Sequence, residues 1–423
     1  MNIDLLNNKN YVDKLPFTKY DLGWVVLCIG MAIGSGIVFL PLQVGLKGVW
    51  VFACTVIIGY PGVYFLQKLF IETLVRSDEK DSYLSIITSY LGGKWGACLG
   101  ALYSLSMLKS MVVYSMAITN DSASYLKTFG LTKLTFSDYW WWPLVLIAVL
   151  SFIASKGERL LFKVSGTMIF IKLSVIVIIA FAVIPSWDVD NISSIPDVSH
   201  LISGIFPTLP FAIYSILFMQ ILNPMNIAYK KRENNKELVR LKILQVHKIA
   251  YSCLVIGVLF YVASVTLAIT EQDAIQAVHE NISALALLAK IVPGSTIKIM
   301  SVVLNVFSVV TAFLSIYLAV NESFIGFIKT FSEKLQLKMD NGKSATISFL
   351  MIVFSLWILV LTNLPIVKLV VFGGIAYGII SCIVPGVIIL RNEKFSDLVS
   401  FKVYFVIFIG LMMCIAPIVM MLS

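Results

Sequence analysis

The sequence predicts an all-α polytopic membrane protein, on the evidence of its composition, its apolar runs and the placement of its basic residues. Of the 423 residues, 59% are hydrophobic and 13% are charged, whereas soluble domains usually carry about 25% charged residues. The apolar residues arrive in runs of roughly 20 or more, the length needed to cross a hydrocarbon core of about 30 Å. We therefore expect membrane lipid around most of the chain.

Eleven apolar runs are predicted to cross the membrane. They are residues 20–44, 49–74, 97–126, 140–155, 161–184, 202–228, 247–269, 296–328, 345–363, 366–390 and 401–422. The fourth run is short, and the Trp140-Trp141-Trp142 cluster at its start is typical of an interfacial aromatic belt. Residues 1–19 lack the apolar stretch and cleavage site of a signal peptide, so we expect them to form a short cytoplasmic tail.

The basic residues predict the orientation of the chain. With the N-terminus inside, 23 of the 32 Lys and Arg residues fall on the inner side and 6 on the outer side. This is the positive-inside pattern, and after eleven spans it places the C-terminus on the periplasmic face of an inner membrane. The net charge of +9 therefore reports topology. The run Lys230-Lys231-Arg232 is interpreted as a topology anchor, and no nucleic-acid partner is expected.

Several function classes are excluded by what the sequence lacks. It contains no P-loop, no GxSxG motif and no HExxH motif, and its three histidines are scattered without ligand spacing. The six cysteines lie within or beside apolar runs without CxxC spacing and are interpreted as buried apolar residues. We therefore do not expect an enzyme, a metal site or a bound cofactor. We expect a secondary transporter.

The first span contains a point where a helix is hard to form. Residues 30–41 include three glycines and a serine within seven positions, and glycine costs about 1 kcal/mol relative to alanine in a helix interior. An interrupted helix at mid-membrane can present N–H groups to a substrate carboxylate. Ile33, Gly34, Ser35 and Gly36 are thus candidate substrate-binding residues. The alternative is that these small residues only let helices pack closely.

The sixth span is also predicted to be broken, at Pro207 and Pro210 and again at Asn223-Pro224, because proline removes a backbone donor and kinks a helix. Tyr214 and Ser215 then lie near mid-membrane as candidate substrate contacts, or else as ordinary packing residues. Breaks in spans one and six fit a five-plus-five inverted repeat with an eleventh helix. The repeats would cover residues 20–185 and 202–390, followed by the last helix at 401–423.

Ionisable residues inside the membrane are expensive and usually functional. Lys172 lies about eleven residues into the fifth span, where an ammonium group must meet a partner or lose its proton. It is a candidate proton carrier, or a fixed replacement for a bound sodium ion. Lys109 in the third span is similarly deep, and its role is left open. Thr311 and Ser315 in the eighth span share a helix face and are candidates for the same cation site, although both could instead bond their own helix.

Two further features lie toward the outer side. Residues 271–292 are predicted to form a helix on the outer face, acting either as a lid over a central cavity or as a passive packing element. Asn120-Asp121 is interpreted as the end of the helix in the third span.

The residues in four segments carry a resemblance to a known family. The segments are residues 30–41, 113–121, 157–163 and 280–286. They resemble the bacterial hydroxy and aromatic amino acid permease family, and most of all its serine and threonine branch. The likeness is colinear over nearly the whole chain. It implies the fold of the amino acid, polyamine and organocation superfamily, similar to LeuT, and amino acid uptake coupled to a cation.

The resemblance also implies roles for individual residues. The broken first span, at Gly34, Ser35 and Gly36, would hold the substrate carboxylate, and the region of Tyr214 and Ser215 would hold the ammonium group. Lys172 and Thr311 match the places where sodium-dependent relatives hold an ion. The expected function is proton-coupled import of serine, with threonine as a further substrate, by a monomer in contact with lipid; sodium is the other coupling ion considered.

Two departures from the family pattern keep other functions open. The sixth span has the apolar segment 216–219 where serine permeases tend to have a polar one, and Thr311 stands where they tend to have a lysine. An aromatic amino acid permease for tyrosine or tryptophan is therefore the first alternative. A membrane sensor that does not transport is a more distant one.

Overall fold

Helices account for all the regular structure in the part of the chain that the computed structural model describes, which is residues 16–76, 90, 92–156, 158–191, 196–334 and 340–422. The α-helices in chain order are α1 (Lys19–Ala32), α2 (Ser35–Lys47), α3 (Val49–Arg76), α4 (Gly93–Thr128), α5 (Trp141–Ser155), α6 (Glu158–Ala182), α7 (Val198–Ile216), α8 (Met219–Lys230), α9 (Lys236–Ala268), α10 (Glu271–His279), α11 (Ala284–Ile291), α12 (Ser295–Lys334), α13 (Asn341–Leu361), α14 (Ile366–Tyr377), α15 (Val384–Arg391) and α16 (Phe401–Leu422). A π-helix, Gly378–Ile383, joins α14 to α15.

Nine helical segments within these described ranges are long and apolar enough to cross a membrane, with α7–α8 and α14–α15 each forming one segment. The pair α1–α2 forms a tenth if it is a single bent span. The predicted fourth span corresponds to α5, which has only 15 residues, fewer than the roughly 20 that a membrane usually requires. Polytopic membrane architecture is therefore confirmed.

The first span is interrupted close to the predicted point. α1 ends at Ala32, α2 begins at Ser35, and the two helix axes are bent by 48° at this junction. Ile33 and Gly34 form the break, and Gly34 adopts φ −143° and ψ −144°, outside the helical region. Ser35 and Gly36, predicted to belong to the break, are instead the first residues of α2.

The sixth span is interrupted at a different point from the one predicted. Pro207 and Pro210 lie inside α7, and Pro224 lies inside α8. The prediction that prolines mark the break is therefore wrong, because a membrane helix can tolerate proline where its neighbours satisfy the freed backbone. The non-helical residues are Leu217, with ψ 124°, and Phe218, with φ −132°.

The two interruptions lie in direct contact. α2 and α3 pack along α7, while α12 packs against α4 and α6. A Cβ atom on Gly36 would overlap the backbone nitrogen of Ser215 and the carbonyl carbon of Tyr214. Glycine is needed here because the start of α2 and the end of α7 touch backbone to backbone. The centre of the bundle is thus built from two helix ends.

One end of the bundle, which we call the α1 end, is held by a charged network. Asp21, in the first turn of α1, is buried and accepts hydrogen bonds from the Tyr229 hydroxyl and from the Lys242 ammonium, the latter at 2.9 Å. The contacts join spans one, six and seven. Nearby, Arg240 of α9 pairs with Glu72 of α3 at 2.7 Å.

The opposite end, the α10–α11 end, is covered by the two short helices that replace the single predicted one. Ser283 caps α11 by accepting a hydrogen bond from the Ala286 N–H, and residues 284–289 are buried. α11 packs against α2, α4 and α12. It is therefore an integral part of the bundle and does not lie loosely on its surface.

Candidate functional site

Lys172 lies at the break of the first span. Its side chain is 1% exposed, and its ammonium group donates to the carbonyl oxygens of Gly30 at 3.1 Å and Ile33 at 3.0 Å. A third hydrogen bond, of 3.0 Å, reaches the hydroxyl of Thr311. Three of the residues predicted to bind a substrate or a cation, Ile33, Lys172 and Thr311, are thus brought together, with spans one, five and eight meeting at one nitrogen atom.

The position of this ammonium group follows from helix electrostatics. Carbonyl groups in the last turn of a helix lack intrahelical donors and carry partial negative charge. Gly30 and Ile33 belong to the end of α1, so Lys172 supplies both the missing donors and the favourable charge. A lysine with three partners needs no carboxylate to be accommodated in the bundle.

The other side of the break has the opposite character. The first N–H groups of α2, those of Ser35, Gly36 and Ile37, have no acceptor within the helix. Gly34 precedes them and provides no side-chain cap. A Cβ atom on Gly34 would lie 3.3 Å from the Tyr114 hydroxyl, so α4 approaches the break here. A helix N-terminus of this kind favours an anion.

Tyr214 and Ser215 lie at the C-terminal end of α7, across from α2. Ser215 is fully buried, donates to the carbonyl of Ala212 at 2.7 Å, and lies 3.4 Å from the hydroxyl of Tyr60. Tyr214 is half-buried and its ring meets that of Tyr377 edge to face, with centroids 5.5 Å apart. The Ser215 hydroxyl is therefore occupied locally, while Tyr214 belongs to an aromatic cluster beside the break.

Ser315 does not join the group around Lys172. It is exposed, and its hydroxyl donates to the carbonyl of Thr311 at 2.8 Å. The shared helix face was predicted from a spacing of four residues, but one further turn along α12 carries the Ser315 hydroxyl past the ammonium group. Its hydrogen bond is the local one that competed with the functional interpretation.

Sequence reasoning missed several residues near the site. Tyr60, Tyr114 and Tyr377 surround the break, but tyrosines in apolar spans carry no distinctive spacing. Lys109, which was singled out from the sequence with its role left open, extends toward Gly373 of α14, where its ammonium group fills the space that a Cβ atom would occupy. In the described residues no group of three or more His, Cys, Asp or Glu side chains is placed to hold a metal ion.

An apolar helical bundle with an uncapped helix end and a buried ammonium group at its centre suits a membrane transporter, and the comparisons with known proteins show that class. The family model of the tryptophan/tyrosine permease family matches residues 18–423, and the chain belongs to this family. It is therefore a multi-pass amino acid transporter of the inner membrane and not an enzyme.

Similar proteins support the same conclusion. The chain is 39% identical over 417 residues to a probable serine transporter of Escherichia coli K12, covering 97% of this chain and 94% of that protein. It is 25% identical over 374 residues to the serine transporter SdaC of the same strain, covering 87% and 86%. It is 22% identical over 340 residues to the inner membrane transport protein YqeG, covering 79% and 82%. The resemblance to the serine and threonine branch is confirmed.

Proposed function

We propose that the protein imports serine, and also threonine, by proton-coupled symport. The observation that carries this proposal is the divided first span, in which Lys172 occupies the carbonyl end of α1 and leaves the N-terminus of α2 available. A zwitterionic substrate needs one anion-binding group and one cation-binding group, and the two broken helices offer both. The printed names of the similar proteins favour serine as the substrate.

The substrate carboxylate would bind the N–H groups of Ser35 and Gly36, where the positive end of the helix dipole stabilises an anion. The substrate ammonium group would bind the opposite partial charge at the carbonyl end of α7, beside Tyr214 and Ser215. The two groups of an amino acid are separated by one carbon atom. The backbone contact between Gly36 and Ser215 keeps the two helix ends close enough for one small substrate to bridge them.

Lys172 would couple transport to protons. In its charged form it binds the carbonyls of Gly30 and Ile33 and the Thr311 hydroxyl. After losing its proton it would release at least part of this set, and α1 would be free to change its angle to α2. A sodium ion would need oxygen ligands in the same place, which the ammonium group already occupies. This arrangement favours proton coupling over sodium coupling.

The transport cycle would be alternating access by a five-plus-five inverted repeat, with residues 20–185 and 202–390 as the two halves and residues 401–423 as an added helix. The contact between the breaks of spans one and six supports this proposal. The distribution of basic residues favours an N-terminus and an α1 end in the cytoplasm, with the α10–α11 end and the C-terminus in the periplasm. The substrate would enter past α11, and α1 would swing away on the cytoplasmic side. The protein would act as a monomer.

An aromatic amino acid is the second candidate substrate. The non-helical residues Leu217 and Phe218 are apolar, and the ring pair of Tyr214 and Tyr377 lies beside the break. Rings that meet edge to face can accept a further ring. Competition experiments separate the two candidates, since threonine should displace labelled serine and tyrosine should not.

The test of the proposal is uptake of labelled serine into proteoliposomes with an imposed pH gradient. We expect uptake that stops when the gradient is collapsed, and Lys172→Ala should abolish gradient-driven uptake while leaving the protein in the membrane. Thr311→Val should weaken coupling, whereas Ser315→Ala should not. Uptake unaffected by collapse of the gradient would refute proton coupling, and normal coupling in Lys172→Ala would remove that lysine from the mechanism.

A further inference from the structure

A second buried ionisable group lies at the α10–α11 end of the bundle. Asp121 is 1% exposed and lies well inside α4, which continues to Thr128. The interpretation of Asn120-Asp121 as a helix end is therefore wrong. The Asp121 carboxylate accepts the backbone N–H of Ser283 at 2.8 Å and the side-chain amide of Asn305 at 2.6 Å. It links α4 to the start of α11 and to α12.

The groups that surround Asp121 are neutral. α11 contributes Ser283 and α12 contributes Asn305, and the titratable neighbours are the phenols of Tyr125 on α4 and of Tyr261, which faces Tyr125 from α9. α5 contributes the indole of Trp142, which donates to the carbonyl of Thr119 and to Ser122.

No cationic side chain in the described part of the chain pairs with Asp121. Glu280, which follows α10, and Lys290 of α11 pair with each other at 2.7 Å and are exposed. Asp21 at the α1 end, by contrast, has the ammonium group of Lys242. An ionised carboxylate without a cation is unfavourable at this depth, and the neutral acid is far less so.

The hydrogen bonds of Asn305 fit a protonated Asp121. The Asn305 amide nitrogen lies within reach of three acceptors, namely Asp121 at 2.6 Å, Tyr125 at 2.8 Å and Ser283 Oγ at 3.1 Å. It has only two hydrogens, and its buried carbonyl oxygen has no partner among the described residues. If the amide is turned over, its oxygen accepts from the acid, and Tyr125 could donate to the same oxygen only by giving up its 3.4 Å hydrogen bond to the carbonyl of Ser301.

α11 is one of the elements that enclose Asp121, because Ser283 at its start donates to the carboxylate. A second set of bonds ties the same region down, because Asn281 accepts from the Ile366 N–H at 2.9 Å and donates to Asn363 at 3.0 Å. Asn120 of α4 donates to the carbonyl of Asn281 at 3.2 Å. Lifting α11 away from α4 would break both sets and bring water to the Asp121 carboxylate.

We propose that Asp121 is a proton-binding site whose occupation accompanies closure of α11. With α11 lifted, the hydrated carboxylate releases its proton to the aqueous phase outside. When α11 closes, one proton from that phase adds to a carboxylate oxygen, and the neutral acid donates to Asn305. This inference rests on the proposed transport function, to which it adds a proton site on the substrate entry path, separate from Lys172.

The test is hydrogen–deuterium exchange of residues 280–291 in the purified full-length protein, without substrate, between about pH 5 and pH 8 and corrected for intrinsic exchange. In the wild type, protection should fall as pH rises, by at most about tenfold for each pH unit, the limit for one proton. Asp121→Asn keeps the shape without the titration and should be protected at every pH. Glu280→Gln, a matched change at an exposed acid beside α11, should keep the wild-type dependence.

A second variant keeps the test decisive if Asp121→Asn fails to fold. Asn305→Ala removes the acceptor of the neutral acid's proton, which disfavours the protonated closed state, so in this variant the loss of protection should move to lower pH. Protection that is independent of pH in the wild type would overturn the proposal, as would a wild-type pH dependence in Asp121→Asn or an unshifted one in Asn305→Ala. Because no substrate or gradient is used, these outcomes are independent of whether serine is transported with protons.

Discussion

Replacement of Gly36 by alanine tests whether contact between the two broken spans forms the substrate site. The added Cβ atom would lie 2.7 Å from the Cα atom of Ser215 and would overlap neighbouring backbone atoms of Tyr214 and Ser215. Because these are backbone atoms, no side-chain rotation relieves the contact. α2 and α7 must move apart at the point where the substrate is proposed to bridge them.

The size of the effect can be worked out from this overlap. Adding a methyl group to a closely packed site typically costs about 1–3 kcal/mol, and about 1.4 kcal/mol corresponds to a factor of ten in affinity. If the strain falls on the closed, substrate-bound arrangement, the Kd for serine should rise by about 5- to 150-fold. Part of the strain will also lower the thermal stability of the protein.

Gly23→Ala is the matched control, since a Cβ atom at Gly23 meets nothing within 4 Å and the residue lies on the same span. Binding of labelled serine to purified protein gives both Kd values, and thermal unfolding gives both stabilities. We expect Gly23→Ala to bind as the wild type does. If Gly36→Ala bound serine with wild-type affinity, the break of span one would not form the substrate site with α7, and the contact would serve packing alone.

Two further predictions concern contacts at the ends of the bundle. Asp21→Asn removes the ion pair with Lys242, so the buried thiol of Cys28 on α1 should react faster with a thiol reagent, as read by peptide mass spectrometry; an unchanged rate would show that the pair does not hold α1. Hydrogen bonds from Arg76 lower the pKa of the Asp397 carboxyl, so their contribution to stability is present above the ordinary pKa of 3.8 and is lost as pH falls below it. Since Asp397 is exposed, Asp397→Asn should destabilise the protein by less than about 1 kcal/mol at neutral pH and by progressively less as pH falls below 3.8, measured by thermal unfolding.

The break in the first span and the importance of Lys172 could be predicted from sequence, because each follows from one strong physical rule. A cluster of glycines weakens a helix wherever it occurs, and an ammonium group deep in a membrane span requires partners. Lys172 was therefore found without knowledge of its neighbours. That those neighbours would be carbonyls of α1 followed from no spacing, since it depends on how spans one and five pack.

The features that were missed depend on tertiary contacts that cancel local signals. Pro207 and Pro210 are strong helix breakers in isolation, yet α7 continues through them, while the apolar pair Leu217 and Phe218 carries no sequence signal of a break. Asp121 was interpreted as part of a helix end, although α4 continues past it to Thr128. The rule that found Lys172, that an ionisable residue inside a span requires an explanation, would have found Asp121 as well.

The helix α1 is held in place at both of its ends. Its 14 residues span about 21 Å. The helix is held at Asp21 by the ion pair with Lys242 and at Ile33, next to Gly34, by the hydrogen bond from Lys172. Breaking the contacts of Asp21 alone would leave α1 held by Lys172. Releasing Lys172 alone would leave the other end of α1 held at Asp21. In the proposed transport cycle, rotation of α1 would therefore require release at both ends, which would link the protonation of Lys172 to the opening of the α1 end.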